Sequence, residues 1–233
     1  MAYIEFTNVT KDYYVGDLTI NAVNNCNFSI EEGEFVVVLG PSGAGKTTIL
    51  NLLGGMDSAT SGTISVADKV ITDLKKKDLV NYRRFDTGFV FQFYNLIENL
   101  TALENVEISK QLTNSTIEAS AVMNQVGLEH RLNSFPSQLS GGEQQRVSIA
   151  RAIAKEPKIL LCDEPTGALD SETGKKIVQL LLDNCKQSNL TTIVITHNAS
   201  LAQVADKIIS VHNGTVSNVG INNSPLSVSE IDW

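Results

Sequence analysis

The stretch FVVVLGPSGAGKTTILNLLGG, Phe35 to Gly55, decides the fold of this chain. Its opening residues are apolar without a break and β-branched or aromatic, as expected of a strand buried on both faces. GPSGAGKT, from Gly40 to Thr47, satisfies the GxxxxGK[ST] pattern, and KTTILNLLG, 46 to 54, reads as a helix stopped by Gly54 and Gly55. A strand, a glycine-rich turn and a helix in that order make a phosphate loop. The turn is formed by Gly40, Pro41, Ser42, Gly43, Ala44 and Gly45, and N–H groups from Gly43 to Thr48 would cradle a β-phosphate. Lys46 would reach the β and γ oxygens, and the Thr47 hydroxyl would ligate Mg²⁺.

Three more runs share the grammar of the first: TGFVFQ (87 to 92), ILLCDE (159 to 164) and TTIVITH (191 to 197). Continuous hydrophobicity over strand length predicts a parallel sheet covered by helices, among them ETGKKIVQLLLDNCKQ (172 to 187), with Ile177, Leu181 and Cys185 at fourfold spacing. Ligands of open α/β sheets bind beyond the carboxyl ends of the strands, so Gly40, Gln92, Asp163, Glu164 and His197 should converge. The early segments IEFTNVT, AVNNCNFSI and GTISVADKVI predict antiparallel strands, with Asp68 and Lys69 as a hairpin turn. Residues 95 to 138 lack strand runs, and LTALENVEIS and IEASAVMNQVG predict a small helical lobe ending at Pro136. The predicted divisions are a β and phosphate-loop part (1–92), a helical part (93–140), the rest of the core (141–222) and a tail (223–233) tied by Ile231 and Trp233.

Chemistry is expected at the strand ends. Asp163 would hold the Mg²⁺ shell and Glu164 would polarise an attacking water, because phosphoryl transfer needs positioning and charge compensation more than covalent chemistry. His197 would hydrogen-bond the γ-phosphate or the water, and Gln92 would complete the Mg²⁺ shell. A second glycine pair stands in SQLSGGEQQR, Ser137 to Arg146. Ser140 and Glu143 make a capping box, so a helix opens there, and Gly141 and Gly142 let an anion approach its positive end closely.

Bulk composition narrows the class. The chain has 233 residues, 42% of them hydrophobic, which is ample for a packed core. A net charge of -8 argues against a nucleic-acid partner and against attachment to anionic lipid. One basic cluster, Lys75 to Lys77 with Arg83 and Arg84, reads as a solvated helix face, and His130 and His212 read as surface residues. The three cysteines, Cys26, Cys162 and Cys185, indicate neither a disulfide framework nor a zinc site, and fit a reducing cytosol. No run approaches the roughly 18 apolar residues of a membrane span, so membrane involvement is expected to come through a partner.

Phosphate loop, strand-end Gln92, LSGGEQQR, LLCDEP, Ala168 to Asp170 and strand-end His197, in that order over nearly the whole chain, resemble the ATP-binding subunit of an ABC transporter. LSGGEQQR is similar to the family's signature motif, Asp163 and Glu164 to its Walker B carboxylates, and Ala168 to Asp170 to its D-loop. The resemblance implies a P-loop NTPase (RecA-like) core over 1–233, with an N-terminal antiparallel β subdomain and an inserted α-helical subdomain. It implies ATP and Mg²⁺ as cofactors, and two cassettes, identical or homologous, paired head to tail. Ser140, Gly141, Gly142 and Asp170 of one would then meet the ATP held by the other. Tyr13 matches the aromatic residue that stacks on adenine. YYVGDLTINAV, FVFQFYNLIENLTALENV and PTGALD resemble the macrolide-export, lipoprotein-release and cell-division branch. That branch implies a permease with a large extracytoplasmic domain, and a location on the cytoplasmic face of the membrane. Phe93 to Asn99 would receive the permease's coupling helix. The chain departs from commoner forms at Cys162 and Asn198.

Two other functions compete. A soluble ABC-type ATPase acting on DNA or ribosomes would carry a long coiled coil between phosphate loop and signature, or two cassettes, and this chain has neither. A P-loop kinase or GTPase is opposed by LSGGEQQR and by the lack of an NKxD-like guanine-reading segment.

Overall fold

The computed structural model describes residues 2–232. Its first layer is an antiparallel ribbon of β1 (Ile4–Val15) and β2 (Leu18–Ile30), joined through Gly16 in the left-handed region at φ 59°. Then follow β3 (Phe35–Leu39) and α1 (Lys46–Leu53), and the ribbon is extended by β4 (Ser61–Val66) and the short β5 (Lys69–Val70). The turn between β4 and β5 lies at Ala67 and Asp68. Lys69 already pairs with Val66, one residue away from the expected position, because Ala67 rather than Lys69 takes the left-handed conformation, φ 50°.

The helical elements α2 (Lys76–Phe85), α3 (Ala102–Thr113), α4 (Ala119–Gln125), α5 (Gly141–Ile153) and α6 (Ser171–Ser188) alternate with β6 (Thr87–Val90), β7 (Ile159–Asp163) and β8 (Thr191–Thr196). Two strands not expected from the sequence, β9 (Lys207–His212) and β10 (Thr215–Ile221), complete a six-stranded sheet of order β10-β9-β3-β8-β7-β6. All neighbours in it are parallel except the β9–β10 hairpin. The four-stranded antiparallel sheet has order β2-β1-β4-β5. A parallel core, an antiparallel β layer and a helical insert are thus present as expected.

Alternation along the central strands divides the core in two. Phe35 and Val37 of β3, Leu160 and Cys162 of β7 and Val194 of β8 face a cluster built with α3 to α6. Val36, Val38, Ile159, Leu161, Ile193 and Ile195 face the other cluster, with α1 and the antiparallel layer. Burial on both sides is the physical reason for the unbroken apolar runs. At the far end Val228 and Ile231 are buried, and the Ile231 carbonyl accepts from Lys175 Nζ at 2.6 Å. The tail is therefore tied down at Ile231; Trp233 lies outside the described residues. His130, His212 and Lys75 to Lys77 are exposed, whereas Arg83 and Arg84 donate to the carbonyls of Gly55 and Leu112.

Candidate nucleotide site

β3 ends at Leu39 and α1 begins at Lys46, so residues 40 to 45 form the loop between them. Gly45 caps α1 in the left-handed region, φ 98°, and a Cβ there would stand 2.3 Å from the Ala22 carbonyl oxygen. Glycine is required on both counts. No side chain caps α1 and no acidic residue occupies its first turn, so its end N–H groups and partial positive charge are left for an anion. The Lys46 ammonium is buried and donates to the carbonyls of Gly40 at 2.8 Å and Pro41 at 3.1 Å. These bonds hold the cation within the loop. A pocket of about 390 Å³ opens here, lined by Gly43 to Thr48 and by Ile20, Asn21, Ala22, Asn213 and Gly214.

The strand ends bring the remaining chemistry together. Burial pushes the Asp163 carboxyl above the usual carboxylate range and the neighbouring Glu164 charge adds to this, against the Thr47 hydroxyl and the Lys46 charge, which pull it down. Asp163 and Thr47 therefore share one polar cluster at the start of α1. Glu164, just past β7, has a left-handed backbone at φ 46°, a conformation that costs a residue with a side chain on the order of 1–3 kcal/mol. It is held there by its N–H, which donates to the Ile195 carbonyl at 2.9 Å. Its Oε2 accepts from Thr196 Oγ1 at 3.0 Å, and its Oε1 lies 2.8 Å from His197 Nδ1. His197 thus meets the carboxylate directly, a pairing the sequence reading did not foresee. Against an ionised carboxylate Nδ1 carries the proton, and among the described residues Nε2 has no hydrogen-bond partner. Gln92 and Glu164 flank Gly167: a Cβ built on that glycine would stand 3.5 Å from Glu164 Cβ and 3.7 Å from Gln92 Nε2.

Ser140, Gly141, Gly142 and Asp170 are not brought to this pocket. They line another, of about 480 Å³, with Arg146, Thr173 and Lys176, and the two pockets share no residue. The predicted capping box is present: Ser140 Oγ accepts from the Glu143 N–H at 3.3 Å and Glu143 Oε2 from the Ser140 N–H at 2.8 Å. Arg131 Nε donates to the other Glu143 oxygen at 2.9 Å. Asp170 caps α6, accepting from the Thr173 N–H at 3.0 Å. Gly142 packs so closely that a Cβ would meet Thr173 Cγ2 at 2.5 Å.

Tyr13 stands to one side. Its hydroxyl donates to Asp57 Oδ2 at 2.7 Å, and Lys11 Nζ lies 4.8 Å from its ring centre. Its cross-strand partner Ile20, not Tyr13, lines the phosphate-loop pocket. The sequence reading missed Ile20, Asn21 and Ala22, and it missed Asn213 and Gly214. An Asn-Gly pair between two alternating segments is a hairpin signal that would have revealed the last two. Asn198, where the chain departs from commoner forms, caps the next turn by accepting from the Ser200 N–H at 2.9 Å.

A family model described as ABC transporter matches residues 23–167. The chain is 45% identical over 222 residues to the ABC transporter ATP-binding protein MJ0796 of Methanocaldococcus jannaschii, covering 91% of this chain and 94% of that protein. It is 38% identical to the lipoprotein-releasing system ATP-binding protein LolD of Idiomarina loihiensis, covering 91% and 96%. Among solved structures, the dimeric MJ0796 cassette superposes with a TM-score of 0.87 at 43% identity, over 94% of this chain and 98% of that one. A dimeric post-hydrolysis form of MJ0796, bound to ADP and Pi, gives 0.86 at 41% identity over the same shares.

Proposed function

The chain belongs to the ABC transporter family and is an ABC-type ATPase, and from that premise we propose that two copies close head to tail on ATP and thereby drive a membrane permease. The observation that carries this reading is the separation of the two pockets. One holds a phosphate loop with its own buried cation, the other a helix N-terminus with two close-packed glycines, and neither encloses a triphosphate by itself. Head-to-tail pairing sets Ser140, Gly141, Gly142 and Asp170 of one copy against the γ-phosphate held by Lys46 of the other. That the similar cassette MJ0796 is dimeric supports the pairing of two copies.

In the closed dimer Gly43 to Thr48 bind the β-phosphate through N–H groups and Lys46 spans the β and γ oxygens. The Thr47 hydroxyl and the Asp163 carboxylate, which already share a hydrogen bond, are oxygen donors suited to a magnesium ion; with Gln92 they would hold it, and it would supply charge compensation on the phosphate oxygens. Glu164 accepts the proton of the attacking water as that water's oxygen bonds to the γ-phosphorus and the bond to the bridging oxygen of ADP breaks. Both carboxylate oxygens already take one hydrogen bond, from Thr196 and His197, and each keeps a lone pair for the proton. His197 therefore orients the base, with Nε2 left to face the phosphate. Tyr13, the cross-strand partner of the pocket-lining Ile20, is assigned to the adenine.

The export or force-transmitting branch, the permease with an extracytoplasmic domain and the position on the cytoplasmic face of the membrane are part of the same proposal, supported by the 38% identity to LolD. Among the described residues no helix is long and apolar enough to cross a membrane. Within the helical part, 93–140, Phe93 and Ile97 are exposed and offer an apolar contact to the permease, while Leu96 packs inward. Asn105 shapes this loop by bonding the N–H of Ile97 and the carbonyls of Ile97, Leu100 and Thr101.

Ser140→Arg is the deciding experiment. The single chain should bind ATP with unchanged affinity, and ATP-driven dimerisation, followed by light scattering, should disappear. Normal dimerisation of that variant would refute the shared site.

A further inference from the structure

Arg151 and Lys155 lie one turn apart near the end of α5, half-buried, and neither forms an ion pair among the described residues. Both cations are spent on backbone. Arg151 donates from one guanidinium nitrogen to the Tyr94 carbonyl at 2.9 Å and from the other to the Asn95 carbonyl. Lys155 Nζ donates to the carbonyls of Arg83 and Thr87, each at 2.7 Å. The end of α5 and the turn that follows it thus grip both flanks of the segment that runs through β6 to Gln92.

The grip is strongest where the chain most needs it. Tyr94 and Asn95 are consecutive residues in the left-handed region, φ 58° and 51°, a conformation that non-glycine residues keep only when their surroundings impose it. A planar guanidinium with two donors suits two adjacent carbonyls, which a single ammonium point charge does not. Tyr94 also reaches the opposite end of α5: a Cβ on Gly141 would stand 2.9 Å from its hydroxyl. Burial pushes the Arg151 guanidinium below its ordinary value, so the contact is held at a desolvation cost.

We propose that Arg151 is a positioning residue for Gln92: through the Tyr94 and Asn95 carbonyls it fastens the Gln92 loop to α5, so that Gln92 and the Ser140 end of that helix move as one body. Lys155 secures the entrance to the same segment. Because Phe93 lies inside it and is 79% exposed, a push on Phe93 reaches both phosphate-facing groups at once. The proposal rests on the role given to Gln92 above.

The test uses the full chain, MgATP and five proteins: wild type, Arg151→Gln, Arg151→Lys, Gln92→Ala and the Arg151→Gln/Gln92→Ala double variant. Arg151→Gln should keep single-chain ATP affinity within about threefold while kcat falls about tenfold or more, and Arg151→Lys should restore part of that loss. In the Gln92→Ala background the same change should cost less than about twofold, since the residue acts through that loop. An equal loss in both backgrounds, or full turnover of Arg151→Gln, overturns the proposal. If Gln92→Ala alone leaves turnover unchanged, the role of Gln92 fails and the positioning claim falls with it. Should Arg151→Gln not fold, Arg151→Lys is read in the same two backgrounds, with a smaller kcat deficit expected only when Gln92 is present.

Discussion

The N-termini of α1 and α5, both proposed to meet phosphate, are finished in opposite ways. α1 opens on a left-handed glycine with no capping side chain and carries a buried lysine in its first turn. α5 opens on Ser140, closes a reciprocal box with Glu143, and has Arg131 behind the box. The first end leaves its donors unpaired and adds a cation, so it binds an anion strongly and is incomplete without one. The second is already satisfied by its own side chains, so it folds without a ligand and adds only glycine N–H groups and a hydroxyl. On the proposed reading, affinity belongs to one end and recognition that a second molecule has arrived belongs to the other.

The largest effect expected on this division concerns the base between the two ends. Glu164→Gln should retain ATP binding, accumulate a dimer in size-exclusion chromatography and lose about 10²- to 10⁴-fold in turnover, the usual contribution of a positioned base. Lys46→Ala tests the affinity end directly. Loss of charge-assisted hydrogen bonds worth about 1.5–3 kcal/mol should weaken ATP binding roughly 10- to 100-fold in calorimetry of the single chain. Ser140→Ala should lower unfolding free energy by about 1 kcal/mol, the cost of a lost N-cap, and leave single-chain ATP affinity unchanged. A matching loss of affinity would erase the contrast between the helices.

The smallest effect is the pH dependence of the α5 cap. Partial burial raises the Glu143 carboxyl, but Ser140 and the Arg131 guanidinium outweigh it and hold it below its ordinary value of 4.5. A lowered carboxylate contributes stability above pH 4.5 that is lost as the pH falls through the folded-state value. The thermal midpoint of wild type should therefore fall toward that of Glu143→Gln below pH 4.5, with the gap open above it. The α1 cap has no side chain to titrate. A gap that is the same at every pH would show that Glu143 acts by shape and not by charge.

The residues at these helix ends were legible because each feature is local. A phosphate loop, a capping box and an apolar strand are spelled by neighbours in the chain. β9 was hidden by its own first residue. Lys207 is buried at the start of a central strand and is satisfied only by the Glu34 carboxylate at 2.7 Å and the Ser29 carbonyl at 3.1 Å, partners far away in sequence. A charge at that position breaks the apolar run that made its neighbours visible. The contact between Glu164 and His197 was hidden for a similar reason. It requires β7 and β8 to lie side by side with Asp163 opposite Ile195, a register that no single strand encodes. The side-by-side placement of Ile20 and the 213–214 turn around the phosphate loop depends in turn on β2 meeting the β9–β10 hairpin, where the Asn24 N–H donates to the Gly214 carbonyl at 2.7 Å.

The left-handed backbone of Glu164 sets this protein's durability against its work. Glycine alone would sit at that torsion without penalty, and glycine has no carboxylate. With Glu164 as the proposed base, the hydrolytically dead Glu164→Gly protein relaxes that torsion and also gives up the bonds to Thr196 and His197. The torsional cost and the two bonds thus stand or fall together with the carboxylate, so the strain at this position is kept in place by the same contacts that aim the proposed base.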